Sequence, residues 1–84
     1  MSRFEKLLAK LRRRPPEMRY EEVEKILTAF GFVKRGSSGS HHVFYRPGCP
    51  PLTVPKHRGH VVKTTYLKLV IRILEDCGLI APEV

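Results

Sequence analysis

The sequence has no tryptophan, two cysteines, and no unbroken apolar run approaching a membrane span. A spanning helix needs about 20 consecutive apolar residues, so a membrane-crossing helix is excluded. The N-terminal Leu7, Leu8 and Leu11 are interrupted by Lys10 and Arg12, so no secretory h-region is present. Cytoplasm is the expected compartment. Cys49 sits in a Pro/Gly turn and Cys77 at the end of an apolar helical pattern, and neither has a CxxC partner. A disulfide framework is not expected, which fits a reducing compartment. Acid is the most informative shortage. Residues 31–74 contain no Asp or Glu, yet they hold Lys34, Arg35, Arg46, Lys56, Arg58, Lys63, Lys68, Arg72 and all four histidines. A two-metal nuclease needs clustered carboxylates, and this stretch cannot supply them.

What is present points to a polyanion. Sixteen Lys+Arg against eight Asp+Glu give a formal charge of +8 in 84 residues. Such a surplus on a small domain favours nucleic acid through counterion release and electrostatic steering. A chain this short forms one domain and buries only about 60–65% of its unfolded surface. It has no room for a bound cofactor with a separate substrate domain. Hydrophobic content of 42% argues against wholesale disorder.

The periodicity predicts an α+β chain. Phe4, Leu7, Leu8 and Leu11 mark a helix over residues 2–13, with Ser2 and Glu5 as a capping box and Pro15-Pro16 as the stop. Val23, Ile26, Leu27 and Phe30 mark a second helix over residues 20–30, closed by Gly31 at the C′ position. Strands are expected at residues 32–35, 41–46 and 52–54, with residues 36–40 a flexible turn and Pro55 ending the third strand. In the middle strand, Val43 and Tyr45 share one face, and His42, Phe44 and Arg46 share the other. Taking Val43 and Tyr45 as core puts His42 on the open face. A last helix covers residues 63–77, with Tyr66, Leu67, Val70, Ile73, Leu74 and Cys77 as its buried stripe. The order (α)-α-β-β-β-α describes a three-stranded antiparallel meander with helices on one face.

Two segments carry candidate chemistry. Gly39-Ser40-His41-His42 places a glycine-rich turn beside an imidazole that titrates near neutral pH. RNA carries its own nucleophile, the 2′-OH, so one positioned histidine with cationic phosphate clamps suffices to cut it. The loop of Lys56, His57, Arg58, Gly59 and His60 precedes the last helix, where Lys56, Arg58 and Lys63 would hold phosphate. His57 is a weaker candidate for a second acid–base group. Ser40 reads as a turn residue more than as a nucleophile. His57 and His60 offer a ligand pair, but no standard zinc spacing joins them to His41, His42, Cys49 or Cys77.

The run Gly31-Phe32, then Gly39-Ser40-His41-His42-Val43-Phe44, then Thr53-Val54-Pro55-Lys56-His57, then Cys77-Gly78-Leu79, resembles the HicA toxin family. The resemblance covers about residues 20–79. It implies a double-stranded-RNA-binding-domain-like fold and an mRNA interferase of a type II toxin–antitoxin pair. In the family, the histidine closing the Gly-Ser-x-His motif is catalytic, and that position is His42 here. The resemblance also implies cleavage without a cofactor and a HicB antitoxin that masks the histidine. Two features depart from the family pattern: the segment before residue 18, with its helix and Arg12–Arg14 run, and the proline-rich residues 46–51.

The expected domain division is therefore 1–17 as an N-terminal helical extension and 18–84 as one RNA-binding and nuclease domain. The expected function is a metal-independent endoribonuclease toxin. Its catalytic residue is His42, and its RNA- or phosphate-binding residues are Lys56, Arg58, Lys63, Gly39 and Ser40. The alternative is a non-catalytic RNA-binding module, or a decayed toxin, on the same fold. The first helix offers a surface for homo-oligomerisation.

Overall fold

A computed structural model describes residues 2–39 and 41–82. Helix α1 spans Arg3–Arg12 and begins as its sequence requires. The Ser2 hydroxyl accepts from the Glu5 N–H at 3.1 Å, and Glu5 Oε1 accepts from the Ser2 N–H at 3.0 Å. Its apolar stripe turns onto the protein's own core: Leu11 is fully buried, and Phe4, Leu7 and Leu8 pack against the core cluster. The Phe4 ring meets Phe30 edge-on at 5.3 Å. Lys10 reaches Glu22 at 3.1 Å, and Arg12 donates to the Ala81 carbonyl at 3.3 Å, so both chain ends are fastened to the same body.

A short strand β1 (Glu17–Arg19) leads into α2 (Tyr20–Ala29). Gly31 has φ +91°, the left-handed backbone that lets the chain leave a helix. A Cβ there would stand 3.5 Å from Arg46 Nε. That guanidinium donates to the Phe30 carbonyl at 2.7 Å and ties the helix end to the sheet. Strands β2 (Val33–Ser38), β3 (His41–Tyr45) and β4 (Leu52–Pro55) form an antiparallel sheet in the order β2-β3-β4. The expected flexible turn over residues 36–40 is shorter than its composition indicates. Residues 36–38 belong to β2, which carries a bulge between Lys34 and Ser37, and the reversal falls at Gly39, φ +60°. The third strand likewise runs through Pro55.

The face assignment of the middle strand is corrected. Phe44 is buried, whereas Tyr45 is 42% exposed. His42 and Phe44 pair across the ladder with Val54 and Leu52, both core residues. His42 therefore lies on the helix side of the sheet, and Tyr45 points to the open side with Val33, its cross-strand partner. Burying Phe44 with Leu52 and Val54 removes more apolar area from water than burying Val43 with Tyr45.

A second, two-stranded sheet was not foreseen. β1 pairs antiparallel with β5 (Val61–Lys63), and Met18 and Val62, both buried, oppose each other. Helix α3 (Thr64–Asp76) follows, and the Thr64 N–H donates to the Pro16 carbonyl at 2.9 Å. Its buried stripe is Leu67, Val70, Ile71 and Leu74, with Tyr66 and Ile73 only partly covered. The cysteines are closer than the sequence indicated. The turn after β3 meets the end of α3 and brings the Cys49 and Cys77 sulfurs together, with Cα atoms 5.6 Å apart. Among the described residues, no helix is long and apolar enough to cross a membrane.

Candidate functional site

The sheet and the β4–β5 loop bring separate stretches of sequence to one cleft. Its volume is about 530 Å³, and it is lined by Gly39, His42, Lys56, His57, Arg58, Gly59 and His60. Among the described residues, the lining contains cations, imidazoles and glycine, and no carboxylate. Main-chain bonds shape the loop. The His57 N–H donates to the Val61 carbonyl at 2.9 Å, and the His60 N–H to the His57 carbonyl at 2.8 Å. His60 adopts φ +59°, and its carbonyl accepts the Tyr20 N–H at 2.9 Å. A non-glycine residue in the left-handed region persists only where its surroundings hold it there. Here the start of α2 does so.

His42 is held by a partner that sequence reasoning missed. The Tyr20 ring, 3% exposed, lies 4.8 Å from the His42 ring at an interplanar angle of 41°. The Tyr20 hydroxyl donates to Glu24 Oε2 at 3.2 Å, and the Lys56 ammonium sits 4.9 Å from the Tyr20 ring centroid. Glu24 also pairs with Lys34 at 3.2 Å. Burial, and then the Glu24 carboxylate, push the Tyr20 phenol up, so it stays neutral. Burial lowers the His42 pKa, and the positive charges of Lys34 and Lys56 lower it further against the opposing pull of Glu24. These effects favour the neutral form of His42. Its Nδ1 and that of His57 are buried without a hydrogen-bond partner. The His57 ring lies 5.7 Å from that of Tyr66.

The sequence candidates divide accordingly. His42, Lys56, Arg58 and Gly39 share the cleft. Ser40 lies outside the described residues. Lys63 is not in the lining, and its ammonium pairs with Glu17 at 3.0 Å across the β1–β5 ladder. The expected anion site at the start of the last helix is displaced, because β5 intervenes between the basic loop and α3. Among the described residues, no group of three or more His, Cys, Asp or Glu is placed to hold a metal ion. Tyr20 had one available signal: it is an aromatic at the first position of a helix whose stripe was otherwise read correctly.

Fold and cleft together define a class: small α+β domains of the double-stranded-RNA-binding-domain type with a cationic, imidazole-lined site. The family can be stated more narrowly. The profile described as the HicA toxin of bacterial toxin-antitoxin matches residues 20–79, and the chain belongs to that family. It is a toxin-antitoxin toxin, in a family whose members are generally mRNA interferases. No curated protein and no solved structure matches the chain. The match begins at Tyr20, so α1 and β1 lie outside it.

Proposed function

We propose that this chain is an endoribonuclease that cuts mRNA in the cytoplasm, with His42 as the proton-transferring residue and no bound cofactor, and that a HicB-type antitoxin restrains it. The observation that carries this reading is the His42 ring in a cleft lined by Lys56 and Arg58, with no carboxylate among its described lining residues. An imidazole with a lowered pKa is ready to accept a proton from a 2′-OH. Ammonium and guanidinium groups beside it bind the phosphodiester and stabilise the charge that builds on its oxygens as O2′ attacks. The Gly39 main chain edges the cleft at the β2–β3 turn and adds no side-chain bulk. Covering the same cleft with an antitoxin would exclude RNA without altering the toxin's fold.

The test is RNA integrity after induced expression in a bacterium, comparing wild type with His42→Ala. Wild type should degrade mRNA and arrest growth, and His42→Ala should do neither while remaining folded. A toxic, RNA-cleaving His42→Ala protein would overturn the assignment. A folded wild type that binds RNA and leaves it intact would identify a binding module instead.

A further inference from the structure

We infer that His57 is a second catalytic group of the cleft, donating the proton to the leaving 5′ oxygen while His42 takes the proton from the 2′-OH. The inference rests on the nuclease reading above and divides the reaction between two residues. His42 and His57 come from different elements, β3 and the β4–β5 loop, and line the same cleft. Each keeps Nδ1 buried and unpartnered. Leaving a buried polar atom without a partner is unfavourable. Such atoms are rare in folded proteins and call for a reason. Two of them in one small cleft, both on imidazoles, point to rings held for chemistry at Nε2, the remaining nitrogen of each.

His57 is better suited than its neighbour His60. The His57 main chain is bonded to Val61 on one side and to His60 on the other, and its half-buried ring packs against Tyr66. His60 is exposed and serves the fold through its carbonyl. Tyr20, Glu24, Lys34, His41 and Lys56 surround His42, and among them the cations and burial favour the neutral base. Tyr66 packs against the His57 ring, and Lys56, Arg58 and His60 line the same cleft.

The proposed step balances without metal or redox chemistry. His42 removes the 2′ proton, and O2′ forms a bond to phosphorus. The phosphorus–O5′ bond breaks with its electron pair on O5′, and His57 supplies the proton that O5′ takes. The products are a 2′,3′-cyclic phosphate and a 5′-hydroxyl, with His42 protonated and His57 deprotonated. A proton exchange with water restores both.

The test uses the full-length protein and an oligoribonucleotide carrying a site that wild type cuts, made in two forms. One form has the natural O5′ and the other a 5′-bridging sulfur, a leaving group that needs no proton. His57→Ala should slow cleavage of the natural form by about 100-fold or more, the range for loss of a general acid. It should also return close to wild-type rate on the sulfur form. His57→Phe, which keeps a ring against Tyr66, should behave the same way, so a folding defect of the alanine variant cannot mimic the result. His42→Ala should be slow on both forms. Cleavage of natural RNA by His57→Phe at near wild-type rate, or equal slowing on both forms, would overturn the inference. If His42→Ala is inactive in that case, the nuclease reading still stands. If His42→Ala itself cuts RNA normally, the His42 assignment falls and the division of roles falls with it.

Discussion

The Tyr20 ring stands 4.8 Å from the His42 ring, and the Lys56 ammonium stands 4.9 Å from the same Tyr20 ring. A core aromatic on α2 thus orients a strand histidine and a loop cation together. An aromatic pair is worth about 0.5–1.5 kcal/mol beyond its buried area. Replacing Tyr20 by Leu, which keeps bulk and loses the π face, should slow RNA cleavage by about 2- to 10-fold. Tyr20→Phe loses only the hydroxyl bond to Glu24, costs about 1 kcal/mol of stability, and should leave cleavage intact. Single-turnover rates on both variants check this, and a Leu variant as fast as wild type would remove the stack from the mechanism.

The cations of the cleft should differ from Lys63 in their effect on RNA. Lys56→Ala and Arg58→Ala should each weaken binding and reduce the slope of log K against log salt by about one. Lys63 has Glu17 as a partner at 3.0 Å, so Lys63→Ala should leave the slope nearly unchanged. Anisotropy titrations at several salt concentrations decide it. A larger loss at Lys63 would move the RNA path onto the β1–β5 ladder.

Acid should destabilise the fold through His42. Its pKa is lowered from 6.5 by burial and by Lys34 and Lys56, so the folded state binds fewer protons than the unfolded state in the window just below that value. Stability is then highest above pH 6.5 and falls as pH drops toward the folded pKa. Urea midpoints at pH 7.5 and at pH 5 should separate further for wild type than for His42→Gln. The difference between the two proteins isolates His42 from Glu24, His41 and the other histidines.

The first helix should matter to stability through packing more than through charge. Leu11 is fully buried, and truncating it to Ala should cost about 2–5 kcal/mol. That is a large share of the roughly 4–12 kcal/mol expected for a domain of this length. Lys10→Ala breaks only a partly exposed ion pair with Glu22 and should cost less than about 1 kcal/mol. Thermal melts of the two variants give the comparison.

The helices were legible because each has one apolar stripe and a chemical stop: Ser2 and Glu5 at one start, Gly31 at one end. The middle strand was not. Both of its faces carry apolar residues, Phe44 on one and Val43 with Tyr45 on the other, so alternation alone could not choose. The deciding signal sat in the next strand. Leu52 and Val54 flank a polar Thr53, and ladder pairing passes their inward direction to Phe44 and His42. β1 and β5 escaped notice because three-residue strands have no period to read. The cysteine pair escaped because a sequence separation of 28 says nothing of how the β3–β4 turn meets the end of α3. The cleft residues His42, Lys56 and Arg58 were readable as types in a motif, whereas Tyr20 required the packing of α2 on the sheet.

The β1–β5 ladder has a consequence for how the protein is made. β5 is among the last strands synthesised, yet it closes the loop that carries His57 and pairs with β1, and α3 must then cover the core. A nascent chain still lacking these segments has Gly39 and His42 but not the opposite wall of the cleft. Domains fold as units while synthesis proceeds, so the cleft assembles only after β5 and α3 have been made.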